Sequence, residues 1–193
     1  MPEFTLDPRT TALVLIDLQR GITAMPAAPH SAGDVIANAA RLARAMRKQH
    51  GTVVLVNVDP GPNRELSLRV VADQPRPTPT GGLPADWTQI VPELGPEPGD
   101  VLVTKHQPGA FFHTDLEVHL RRRGIRTIVL GGISTNIGVE STARVAYELG
   151  YDQVFVEDAM AARDADLHQH AVTRFFPTIG RVRATTAVLA ALG

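Results

Sequence analysis

Apolar residues in this chain gather in short unbroken runs rather than in strict alternation with polar ones. Five runs stand out: Thr11–Asp17 (TALVLID), Thr52–Val58 (TVVLVNV), Val101–His106 (VLVTKH), Thr127–Gly131 (TIVLG) and Gln153–Glu157 (QVFVE). A weaker sixth spans Gly180–Ala184. Near-continuous Val, Leu and Ile predict strands buried on both faces, as in a parallel sheet. Between the runs the apolar period lengthens to that of a helix. Ser31–His50 sets Val35, Ile36, Ala39, Leu42, Ala43 and Met46 on one stripe, with Ser31 or Asp34 as cap and Gly51 as stop. Thr114–Arg123 ends in three arginines before Gly124, a good C-terminal signal by dipole and cap. Gly138–Leu149 ends at Gly150, Ala165–Phe176 ends before Pro177, and Thr185–Leu192 closes the chain.

Strands alternating with helices predict an α/β fold: a three-layer, doubly wound domain with a mainly parallel sheet of about six strands flanked by helices. With 193 residues, 1–193 reads as a single domain. One stretch breaks the rhythm. Pro60–Asp100 holds nine prolines and the sole tryptophan, Trp87. That length suits a lid, a substrate loop or an oligomer arm. Its Pro-rich core, Gln74–Pro84, resists regular structure.

Composition narrows the function. A net charge of −1 argues against a nucleic-acid binder, which needs a basic face. No apolar run approaches the roughly 18 residues of a membrane span. The N-terminal residues lack a basic stretch followed by an apolar one, so we expect no secretory leader and a cytoplasmic protein. Absence of cysteine removes disulfides and Cys-based metal sites. His168 and His170 lie two apart, whereas one helix face needs three or four. Asp59 has no histidine neighbours. We therefore expect neither a metal nor a cofactor.

Ligands in open α/β sheets bind outside the carboxyl ends of the strands. Three predicted strands end in residues able to do chemistry. The first ends at Asp17, the third at Lys105, and the fourth in the Gly131–Gly138 turn that opens a helix. A carboxylate after a buried strand is a cap or a functional acid, and partial burial would raise its pKa. A nearby lysine would act the other way. Lys105 alone reads as a lysine reaching to solvent; paired with Asp17 it reads as functional. His106 should point to the opposite side of its strand. The turn matches neither GxGxxG nor GxxxxGK[ST], and no G-x-S-x-G surrounds Ser134 or Ser141.

Three segments carry a resemblance in order along nearly the whole chain. They are Ala12–Gln19 (ALVLIDLQ), Val103-Thr104-Lys105, and Gly132–Arg144 (GISTNIGVESTAR) followed by Val156-Glu157-Asp158-Ala159. Together they resemble the isochorismatase-like hydrolase superfamily. The resemblance implies Asp17 and Lys105 as catalytic residues, with Gly138 at the position where most members carry a nucleophilic cysteine. It implies a cis peptide at Ile133–Ser134, and pocket residues among Gln19, Ile133, Ser134 and Asn136. A thiolate mechanism needs sulfur, and none is present. Asn57-Val58-Asp59-Pro60 lacks the histidines of the nicotinamidase metal motif.

True isochorismatases also have glycine at this position. They cleave a vinyl ether by protonating carbon, which needs no protein nucleophile and suits an aspartic acid with raised pKa. They typically show Tyr-Ala-His before Ile-Gly, where this chain has Ser134-Thr135-Asn136, so the substrate is open. The resemblance thus implies a cysteine-independent hydrolase of a small molecule, working as a homo-oligomer, dimer or tetramer. A non-catalytic small-molecule-binding protein on the same fold is the alternative.

Overall fold

β1, Thr11–Ile16, is the centre of the molecule, and all six of its residues are buried. In the computed structural model, which describes residues 4–74 and 82–193, it pairs in parallel with β2 (Thr52–Val58) and with β4 (Thr127–Ile133). β3 (Val101–Lys105) lies outside β2. β5 (Asp152–Ala161) and β6 (Arg181–Arg183) follow β4. The sheet order is β3-β2-β1-β4-β5-β6, parallel throughout. Strand order reverses between β1 and β4, and a crevice opens at such a switch point.

Alternation along β1 builds the three layers. Ala12, Val14 and Ile16 face one core, with Leu116 and Leu120 of α3 (Leu116–Arg122) and Ala143 and Ala146 of α4 (Glu140–Glu148). Leu13 and Leu15 face the other, with α2 (Ala32–Lys48) and α6 (Thr185–Leu192). Between the two faces no polar side chain of β1 needs a partner except Thr11, which explains why the run is unbroken. Ser31 caps α2 by accepting from the Asp34 amide. Asp158 Oδ1 accepts from both the amide and the hydroxyl of Thr185 at 2.7 Å, closing the start of α6 from β5. The short α1 (Arg20–Thr23) has no periodic signal.

The sequence reading differs from the structure at several boundaries. β1 stops at Ile16 and β3 at Lys105. β4 runs two residues past Gly131. β5 continues to Ala161 across a register shift opposite Leu130–Gly132, four residues past the expected end at Glu157. β3 is an edge strand: Val101, Val103 and Lys105 point inward, while Leu102 is 58% exposed. The helix expected from Gly138 begins as a π turn, Thr135–Val139. α5 is only Ala165–His170, followed by a second π turn and a 3₁₀ turn to Thr178. Among the described residues no helix is long and apolar enough to cross a membrane.

Most of the expected Pro-rich core of the long connection, 75–81, lies outside the described residues. The remainder is anchored. Gln19 bridges to Ile90. Arg47 of α2 pairs with Asp100 at 2.6 Å and Glu97 at 3.0 Å, and donates to the Leu94 carbonyl at 2.8 Å. Asp100 is almost fully buried. Breaking a buried pair strands the surviving charge, at a cost of about 3–5 kcal/mol. Arg47→Ala should lower stability by about 3 kcal/mol, read as a fall in Tm; an unchanged Tm would show that this anchor contributes nothing.

Candidate active site

The carboxyl ends of β1, β3 and β4 bring Asp17, Lys105 and Gly138 together. Alternation in β3 turns Lys105 inward with Val101 and Val103, so the lysine cannot reach solvent and is 1% exposed. Its Nζ lies 3.0 Å from Asp17 Oδ2 and donates to the Pro108 carbonyl at 2.6 Å. Asp17 sits one residue past β1 in the left-handed region, φ 54°. There its amide donates to the Val56 carbonyl at 2.9 Å. Non-glycine residues rarely adopt that conformation, and aspartate tolerates it better than most. Asp17 Oδ1 is buried and has no hydrogen-bond partner.

Electrostatics at this pair are set by burial. Loss of water disfavours both charged forms. It raises the Asp17 pKa to about 6, against the pull of the Lys105 charge, and lowers that of Lys105 against the pull of Asp17. Desolvation outweighs pairing in both groups. Asp17 therefore holds its proton well above the ordinary carboxyl range.

Gly138 closes the triangle. A Cβ there would lie 3.1 Å from Asp17 Oδ2, 3.2 Å from Lys105 Nζ and 2.8 Å from Ile16 Cγ2. A side chain at 138 would thus stand directly over the ion pair, and it would press on a branched methyl fixed by β1. Gly132 is needed for a different reason: φ is 125°, and a Cβ would fall 2.1 Å from the Ile16 carbonyl oxygen. The Ile133–Ser134 peptide is cis, as the resemblance implies.

A cavity of about 310 Å³ opens above the pair, within the range of small-ligand sites. Asp17, Ile133, Ser134 and Gly138 line it. Ser134 Oγ is buried without a partner. Asn136 is absent from the lining, although its Oδ1 is also buried and unpaired. Gln19, expected as a substrate contact, has another task. It is fully buried; its Nε2 donates to the Val58 and Trp87 carbonyls and its Oε1 accepts from the Val58 amide. It braces the end of β1 to β2 and to the long connection, and it is absent from the cavity lining.

Several lining residues are not marked out by the sequence, among them His106, Arg163 and Leu68. His106 was assigned to the far side by strand alternation, but β3 ends at Lys105, so alternation no longer governs it. Its Nδ1–H donates to the Asp59 carbonyl at 2.6 Å. Arg163 reaches the rim because β5 runs on to Ala161. Leu68 comes from the long connection, as do Pro60 and Ser67. A lone arginine or leucine in a loop carries no signal that could have located them.

Fold and site define a parallel α/β protein whose small-ligand pocket is built on a buried acid–amine pair. The Isochorismatase domain matches residues 11–187, and the chain belongs to the isochorismatase family, as one of its hydrolases. It is 46% identical over 189 residues to the uncharacterized isochorismatase family protein YwoC of Bacillus subtilis, covering 98% of this chain and 97% of that one. Its structure resembles that of an isochorismatase family protein from Burkholderia thailandensis, with TM-score 0.91, 49% identity and 97% of each chain covered. It is 34% identical over 210 residues to the ureidoacrylate amidohydrolase RutB of Agrobacterium fabrum, covering 96% of this chain and 92% of that one.

Overpacking a well-filled site costs about 1–3 kcal/mol. Gly138→Ala should lower stability by about that amount, because Ile16 must give way. Urea unfolding of the two proteins measures it, and equal midpoints would mean that the room above Ile16 is larger than described.

Proposed function

We propose that this chain hydrolyses a small enol-ether-type substrate with Asp17 as general acid and then general base, without a covalent enzyme intermediate. The observation that carries this reading is the unpartnered Asp17 Oδ1 beside a glycine at 138. The acid proton has no acceptor in the protein, and the space where a nucleophile would stand is empty of side chain. Amide hydrolysis through a thiolate, the route a cysteine member would use, is closed to a chain with no cysteine.

The Asp17 proton passes to the terminal carbon of the C=C–O unit, whose π electrons form the new C–H bond. The oxocarbenium ion that remains is attacked by water. Asp17, now a carboxylate held against Lys105, takes the proton that water loses. The hemiketal then collapses to a carbonyl compound and an alcohol. Lys105 stabilises the carboxylate formed in the first step, in a site where electrostatic interactions are little screened. Arg163 forms no ion pair among the described residues. At the rim it suits a substrate bearing an anionic group.

The test is pyruvate release from isochorismate and from simpler enolpyruvyl ethers, by the wild type and Asp17→Asn. General acid catalysis contributes about 10²–10⁴-fold, and loss of the proton should cost that much. The acid must be protonated, so kcat/KM should fall as pH rises through about 6. Turnover unchanged in Asp17→Asn, or a rate that climbs through the same pH window, would overturn the assignment. No release from any enol ether would remove this substrate class.

A further inference from the structure

We propose that His30, Glu157 and His168 form a site for one divalent transition-metal ion of the zinc class, separate from the Asp17 pocket. One donor atom from each residue lies within 4.8 Å of the other two. His30 Nε2 and Glu157 Oε2 are 3.4 Å apart. Two donors about 2.0–2.1 Å from a tetrahedral zinc stand about 3.3 Å from each other, so this pair already has the spacing of one coordination edge. The His168 ring meets the His30 ring edge-on, with centroids 5.6 Å apart.

The surroundings fit a ligand set. His168 is buried, and its Nδ1 is hydrogen-bonded to Thr135 Oγ1 at 2.9 Å. Metal-bound histidines are commonly oriented by such a bond on the second ring nitrogen. It leaves the other nitrogen of His168 for the ion. His30 and Glu157 are partly exposed, so side-chain rotation can close the remaining gap and an ion can enter from solvent. Two imidazoles and one carboxylate match zinc with nitrogen and oxygen donors and leave a fourth position for water. A half-exposed His–Glu ion pair explains two of the residues. It does not explain a second, buried imidazole with a ring nitrogen at the same point.

Place in the fold gives the site a consequence. His30 lies in the loop before α2, Glu157 in β5 and His168 in α5. Thr135 follows Ser134, which lines the pocket. A bound ion would fasten three remote segments and hold, through His168 and Thr135, the turn that carries Ser134. None of the three ligands lines the pocket, so binding can be read without turnover. The sequence hides the site because His30 lies 127 residues before Glu157, far from the other two ligands.

The experiment is calorimetric titration of chelator-treated full-length protein with zinc, with cobalt as a spectroscopic probe. The variants are His30→Ala, Glu157→Gln and, as a control, the exposed His170→Ala. The expected result is one zinc per chain, with affinity lowered at least about tenfold in His30→Ala and in Glu157→Gln and unchanged in His170→Ala. Cobalt should give visible bands of a tetrahedral site. Zinc at a hundred times its Kd should raise Tm by about 5–10 °C, a gain absent from the two variants. No stoichiometric binding, binding retained in either ligand variant, or equal loss in His170→Ala would overturn the proposal. Because His30 and Glu157 are partly exposed, both variants should fold, and the Tm of the metal-free proteins verifies this.

Discussion

A lysine with no access to water is the constraint around which the rest of this molecule is arranged. Lys105 can be buried only because Asp17 and the Pro108 carbonyl meet its ammonium group. Those contacts require β3, β1 and the loop after β3 to end in register. Breaking such a pair costs several kcal/mol, yet the pair itself adds little net stability, because both charges must leave water. Burial raises the Asp17 pKa to about 6, against the pull of the Lys105 cation beside it.

Other features serve this geometry. Gln19 holds the backbone after Asp17 to Val58 and Trp87. Gly132 lets β4 pass close to Ile16. Gly138 leaves open the volume directly above the two charged groups. The π turn that follows Ser134 sets Gly138 at that point. In family members with cysteine here, the sulfur would occupy this volume; without it, the same acid–amine pair faces the cavity directly.

Much of the architecture was readable from the residues because long-range burial leaves local traces. Unbroken Val, Leu and Ile runs identify strands with two covered faces, and the caps of α2 and the arginines ending α3 are local signals. Asp17 and Lys105 could be expected at one crevice because strand ends in such a sheet converge, and their charged groups stand 3.0 Å apart. What was hidden depends on distance or on backbone detail. Strand alternation misassigned His106, since the strand stops one residue earlier. Gln19 looked free because its partners, Val58 and Trp87, are 39 and 68 residues away. The register shift that extends β5, and with it the position of Arg163, has no composition signal.

The most direct measurement is the titration of the Asp17 carboxyl carbon by ¹³C NMR, with Asp17→Asn used for assignment. If burial outweighs the Lys105 charge, the midpoint falls at about 6. A midpoint at or below the ordinary value of 3.8 would contradict the account: the pair would then be a conventional salt bridge, and Asp17 would have no proton to give.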